Sequence, residues 1–123
     1  MQWVPFTVTV SAAQECRGML YDEQDHLRFE YQLIELKNTS RKSFVKQLRI
    51  NLKQVSSVNL VKGWQGKTWA GVRVVLEATK ADLFKELPGV KDNRIELRVS
   101  KANVPLAEAF VDGLYADSER SAV

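Results

Sequence analysis

The chain has 123 residues and a net charge of +3, with apolar side chains at 45% and charged side chains at 27%. This length suits one domain with a single core, and the composition is that of a folded globular protein rather than a disordered one. The single cysteine, Cys16, excludes an internal disulfide and a zinc site built from thiolates. No apolar run is long enough to span a bilayer, so we expect a cytoplasmic location.

Alternation of apolar and polar side chains predicts antiparallel strands through most of the chain. The predicted strands cover residues 4–10, 18–22, 26–36, 44–52, 55–62, 68–78 and 93–100. In the third strand the apolar phase slips at Leu33-Ile34, which indicates a bulge. In the fourth strand Phe44 belongs to the inward-facing row, whereas Lys46 interrupts that row and is expected near the exposed start of the strand.

Two helical segments are predicted around the last strand. Residues 79–89 contain a weak capping pattern followed by apolar side chains that include Phe84, which predicts one or two helical turns plugging an end of the sheet. Asn103 can cap a longer amphipathic helix. The apolar stripe of that helix is Leu106, Phe110 and Leu114. We therefore predict a closing helix, a single domain over residues 1–116 and a frayed polar tail at 117–123.

The order of the elements resembles that of pleckstrin-homology-like domains, in particular the small bacterial members. The residues that carry the resemblance are the run 48–58, the turn and strand after it, and the strand 95–99 leading into 107–114. The resemblance implies a mainly β fold, a seven-stranded antiparallel barrel or sandwich closed by one C-terminal α-helix. It also implies a binding or assembly module, with protein or peptide partners more often than lipids and with frequent self-association. The insert at 79–89 is a departure, and a lipocalin-like or cystatin-like arrangement is the alternative fold.

No group of side chains in the sequence is typical of an active site. His26 is the single histidine and lies on the polar face of a strand. A metal site would need a second histidine or a pair of cysteines beside it, and the sequence has neither. Cys16 is expected to be a small buried side chain rather than a nucleophile. The acidic turn at 22–25 lacks the glycine and the distal glutamate of a calcium-binding loop. We predict a non-enzymatic protein without a cofactor.

One region of the chain is strongly basic. Between residues 37 and 53 there is no carboxylate, and the cations there are Lys37, Arg41, Lys42, Lys46, Arg49 and Lys53. This stretch predicts, as the alternative function, binding to an anionic phospholipid or a nucleic acid. In lipid-binding pleckstrin-homology domains the headgroup site lies around the first strand pair, where the loop 11–17 of this chain has only Arg17 as a base.

Trp64 is the candidate for an exposed contact residue. It lies between Gly63 and Gly66 in a strong turn signal, whereas Trp3 and Trp69 occupy strand positions and are expected to pack at the ends of the barrel. The favoured prediction is therefore a protein-protein or self-association module with Trp64 in its contact surface. Strand addition at an exposed sheet edge would offer such a module a route to its partner.

Overall fold

The computed structural model describes residues 2–38, 40–64, 67–80, 82–88 and 90–121, with the main chain alone at 64, 67–70 and 115–121. Within those residues it contains seven antiparallel strands in one sheet and a C-terminal α-helix. The elements are β1 Gln2–Thr9, β2 Gln14–Asp22, β3 His26–Glu35, β4 Lys46–Asn51, β5 Val55–Trp64, β6 Lys67–Ala78, β7 Arg94–Ser100 and α1 Val104–Ser121. Short 3-10 helices at Leu52–Gln54 and Lys101–Asn103 precede β5 and α1. The predicted mainly β fold with one C-terminal helix is confirmed.

The strand order across the sheet is β4-β3-β2-β1-β7-β6-β5. Two meanders, β1 to β4 and β5 to β7, therefore make up the sheet, and they join where β1 meets β7. The join is narrow: among the described residues, β1 and β7 are paired at one position, Thr7 opposite Arg98. β4 and β5 are the two edges, so hydrogen bonds do not close the sheet.

Both meanders face one hydrophobic core. The inward rows at the join are Val4, Phe6 and Val8 in β1 and Ile95, Leu97 and Val99 in β7. The predicted stripe of α1 is confirmed, since Phe110 and Leu114 are buried and Leu106 is half-buried. The helix packs against β1 of one meander and against β5, β6 and β7 of the other, so it covers the join.

The described part of α1 ends at Ser121, past the predicted start of the tail at 117, and residues 122 and 123 lie outside the described residues. None of the helices in the part of the chain described here is long and apolar enough to cross a membrane.

Two predictions for the first meander are wrong. β2 begins at Gln14 rather than at residue 18, because the chain reverses in a tight turn in which the Ser11 N–H donates to the Gln14 carbonyl at 3.1 Å. The pairing of β2 with β3 runs without a register shift through Leu33 and Ile34, so that pair has no bulge there. Ile34 instead lies on the outer row, and it is buried although it faces away from the main core.

The connection between β6 and β7 places a plug of apolar side chains in the core. Phe84 is fully buried and Leu87 nearly so, and the Phe84 ring lies edge-on to Phe29 with 6.4 Å between centroids. The Tyr31 hydroxyl donates to the Glu86 carbonyl at 3.1 Å and holds the plug to β3. Over residues 82–88 the main chain follows hydrogen-bonded turns rather than a helix, so the predicted plug is present without the predicted helical turns.

Candidate functional site

Phe44 is the most exposed large apolar side chain in the described residues, at 93% of its maximum. Its neighbour Val45 is 59% exposed. The prediction that Phe44 faces the core is therefore wrong. Both residues directly precede β4, which is an edge of the sheet. A partner that covered the Phe44 ring would gain roughly 1.5–3 kcal/mol from removing it from water.

A bulge turns Phe44 outward. Lys42 pairs with Ile34 and Lys46 pairs with Tyr31, so the segment from Lys42 to Lys46 is one residue longer than the part of β3 that it faces. The extra residue interrupts the in-and-out alternation on which the inward placement of Phe44 depended. We call residues 43–45 the edge bulge.

Ser43 holds the edge bulge in place. Its N–H donates to the Leu33 carbonyl at 2.9 Å, and the Leu33 N–H donates to the Ser43 hydroxyl oxygen at 2.9 Å. The Ser43 hydroxyl donates to the Phe44 carbonyl at 3.0 Å, and the Gln32 side-chain amide donates to the Ser43 carbonyl at 3.1 Å. Because these bonds fix the main chain beside the phenyl ring, this segment of the protein would lose little chain entropy when a partner binds there.

The predicted basic residues lie in a row along this edge rather than in one pocket. Arg41 and Lys42 precede the edge bulge, Lys46 begins β4 as predicted, and Lys53 follows its far end. A strand rises by about 3.3 Å per residue, so the row extends over roughly 17 Å of β4. All of these cations are exposed, as is Lys37, and among the described residues no carboxylate lies within ion-pair distance of them.

Arg49 differs from the other cations of the row. Its Nε lies 3.7 Å from the Glu23 carboxylate, and the same carboxylate lies 3.2 Å from Arg28 Nε. On the same outer face, the Gln47 side-chain amide donates to the Glu30 carboxylate at 2.9 Å. The positive charge of this surface is therefore greatest at the start of β4 and is partly neutralised on its outer face.

The tryptophan predictions have different outcomes. The side chains of Trp64 and Trp69 lie outside the described residues, so a contact role for Trp64 stays a prediction. Trp3 is 42% exposed on the outer row of β1, opposite Tyr21, and the prediction that it packs at an end of the barrel is wrong. The Arg28 guanidinium lies 4.1 Å from the centre of the Tyr21 ring, which places a cation-π contact beside Trp3.

Cys16 and His26 do not form a catalytic pair. Cys16 lies opposite Leu33, seven residues after His26 on β3, which separates them by roughly 23 Å along the strand. Burial, with a smaller effect of the Glu15 carboxylate, raises the pKa of the Cys16 thiol to about 12. The thiol is therefore protonated at neutral pH and is a poor nucleophile, as expected of a buried cysteine.

The acidic turn between β2 and β3 is held by contacts within the protein. Asp22 accepts the Gln24 N–H at 2.9 Å, and Glu23 pairs with Arg28. His26 Nδ1 lies 2.8 Å from the Asp25 carboxylate, a hydrogen bond that lowers the pKa of Asp25. In the described residues no group of three or more histidine, cysteine or acidic side chains could hold a metal ion.

The sequence contains a signal for the edge bulge, which the apparent alternation of apolar and polar residues over 44–52 obscured. Counting back in steps of two from the buried Ile50 gives Leu48 and then Lys46, while the apolar Val45 falls out of phase. A lysine in phase beside an apolar residue out of phase is what an inserted residue produces.

Comparison of the chain with family models, with curated proteins and with solved structures found no match.

Proposed function

We propose that this chain is a non-enzymatic, pleckstrin-homology-like binding module that contacts a protein partner through the edge bulge and β4. The observation that carries the proposal is the 93% exposure of Phe44 on a hydrogen-bonded stretch of main chain at the sheet edge. An anchored aromatic ring is the kind of side chain that dominates the energy of protein interfaces. The exposed cations on either side of it would form the polar rim of such an interface.

A photo-reactive benzoylphenylalanine at position 44 tests this proposal. In extracts of the source cells we expect protein adducts from position 44 and none from position 108, an exposed site on α1 that serves as the matched control. Because both positions are exposed, a difference in adducts reflects partner binding at one of the two surfaces rather than the general reactivity of the photo-reactive group. Equal labelling at the two positions, or no protein adduct at position 44, would contradict the proposal.

The exposed cations at 37–53 favour a second function, binding to an anionic phospholipid or a nucleic acid. Contacts to phosphate groups weaken steeply with added salt, whereas an apolar contact through Phe44 does not. Replacement of Arg41, Lys42 and Lys46 by serine should abolish binding to anionic vesicles or oligonucleotides at low salt. The melting temperature should change little, since exposed substitutions alter stability by under about 0.5 kcal/mol each. Native protein that binds neither probe at low salt excludes this function.

A further inference from the structure

We infer that the partner contributes an extended acidic peptide, which pairs with β4 as an additional strand and packs an apolar side chain against Phe44. The inference rests on the proposed function and specifies the chemistry of the partner at the same surface. The peptide would carry aspartate or glutamate at the end that lies beside Lys42 and Lys46, next to an apolar residue. Three features of the edge support it: its open pairing side, its charge, and the carboxylates on its outer face together with the edge bulge before β4.

The first feature is the open side of β4. In the described sheet β4 pairs with β3 alone, and no strand lies on its other side. Most side chains of β4 are exposed, so a partner can reach this edge; they are Lys46, Gln47, Arg49 and Asn51. An edge strand presents unpaired N–H and C=O groups, which a peptide in extended conformation can bind. A peptide of about six residues would match the length of β4.

The second feature is the charge of the edge, which selects among possible strands. A second copy of the chain pairing through its own β4 would bring a second set of the same exposed cations to this edge, and like charges on neighbouring strands are unfavourable. Lysines and bulges at edges are known to prevent pairing between copies of a protein. An acidic strand meets the opposite situation, since its carboxylates would lie beside Lys42 and Lys46, which have no carboxylate partner among the described residues.

The third feature distinguishes a peptide from a nucleic acid. Glu23 and Glu30 lie on the outer face beside β4, in contact with Arg49 and Gln47. A phosphate backbone laid over that face would approach both carboxylates, whereas a peptide bound edge-on would avoid them. Regular pairing along β4 ends at the edge bulge, so the terminal side chain of the peptide would lie next to the Phe44 ring.

Selection from a library of random eight-residue peptides displayed on phage tests the inference. Against the native protein we expect enrichment of peptides with acidic residues next to an apolar residue at one end. Against a Lys42→Glu, Lys46→Glu double variant the acidic bias should be lost. Enriched peptides without an acidic bias, or the same peptides enriched on both proteins, would overturn the inference.

An enriched peptide then separates strand addition from simple charge attraction. N-methylation of every second peptide bond removes hydrogen-bond donors without changing side-chain charge, and one of the two alternate series should weaken binding by about tenfold or more. Phe44→Ser should also weaken binding by about tenfold or more, and circular dichroism should confirm an unchanged fold because the ring is exposed. Binding that survives both N-methylated series would overturn strand addition.

The outcomes also separate this inference from the proposed function. Protein adducts at position 44 together with no enriched acidic peptide would leave the binding module standing and refute the acidic strand. Absence of both adducts and peptides would refute both. Binding of oligonucleotides or phosphatidylserine vesicles to the cations of the edge, without enrichment of acidic peptides, would replace the inference with the second function.

Discussion

Replacement of Phe84 by alanine should remove a large part of the stability of the protein. Phe84 has no exposed surface, and its ring packs edge-on against Phe29 at 6.4 Å. Truncation of a core phenylalanine to alanine costs about 3–5 kcal/mol through lost burial and the cavity left behind. A domain has about 5–15 kcal/mol of unfolding free energy in total, so the variant should lose about a fifth of it or more.

Phe44→Ala is the matched control, because it removes the same atoms from a side chain that is 93% exposed. Its effect should be under about 0.5 kcal/mol. Urea unfolding followed by circular dichroism and by tryptophan fluorescence gives the midpoint and slope for each variant. Equal losses in the two variants, or a loss under about 1 kcal/mol for Phe84→Ala, would refute the description of residues 82–88 as a plug in the core.

Three other changes probe separate parts of the fold. Burial raises the pKa of the Cys16 thiol from 9.0 to about 12, so the unfolded chain loses this proton first and the unfolding free energy should fall as the pH rises from 9 to 12. A Cys16→Ala variant should show a smaller fall, and an identical pH profile would contradict the burial of the thiol. Gly71→Ala should cost more than about 1 kcal/mol in thermal melts, because φ is +147° and a Cβ would lie 2.1 Å from the Val99 carbonyl oxygen. Truncation after Lys101 removes the buried face of α1 and should abolish the cooperative thermal transition, so an unchanged melting temperature would refute the role of the helix.

The sequence was sufficient to predict the elements whose burial is regular. In β7 the side chains alternate without a break, because one face of that strand packs on the core and the other faces solvent. In α1 the spacing of Phe110 and Leu114 predicted the buried face, since a single stripe of a helix contacts the sheet. The alternation in β7 and the apolar stripe of α1 each follow directly from which face of that element packs on the core, so they can be recognised from the local sequence.

The placement of Phe44 could not be predicted in the same way. Its exposure depends on the register of residues 42–46 against β3, and that register is fixed by hydrogen bonds between Ser43 and Leu33, ten residues earlier. Alternation indicates the face on which a residue lies and not the strand beside it. For the same reason the pairing of β1 with β7 required the structure. The candidate site therefore emerged from a register irregularity, although its cations were apparent in the sequence.

The narrow join between the two meanders has a consequence for how the protein is made. Thr7 and Arg98 are far apart in the sequence, so the closing step of folding has a high contact order and is expected to be slow. On the ribosome, β1 to β4 emerge first and form hairpins from local contacts, but their apolar face stays uncovered until β7 and α1 have been synthesised. The nascent chain thus exposes a long hydrophobic surface from the synthesis of β1 until that of α1. Chaperones that bind such surfaces should associate with this protein during its synthesis and dissociate once α1 has docked across the join.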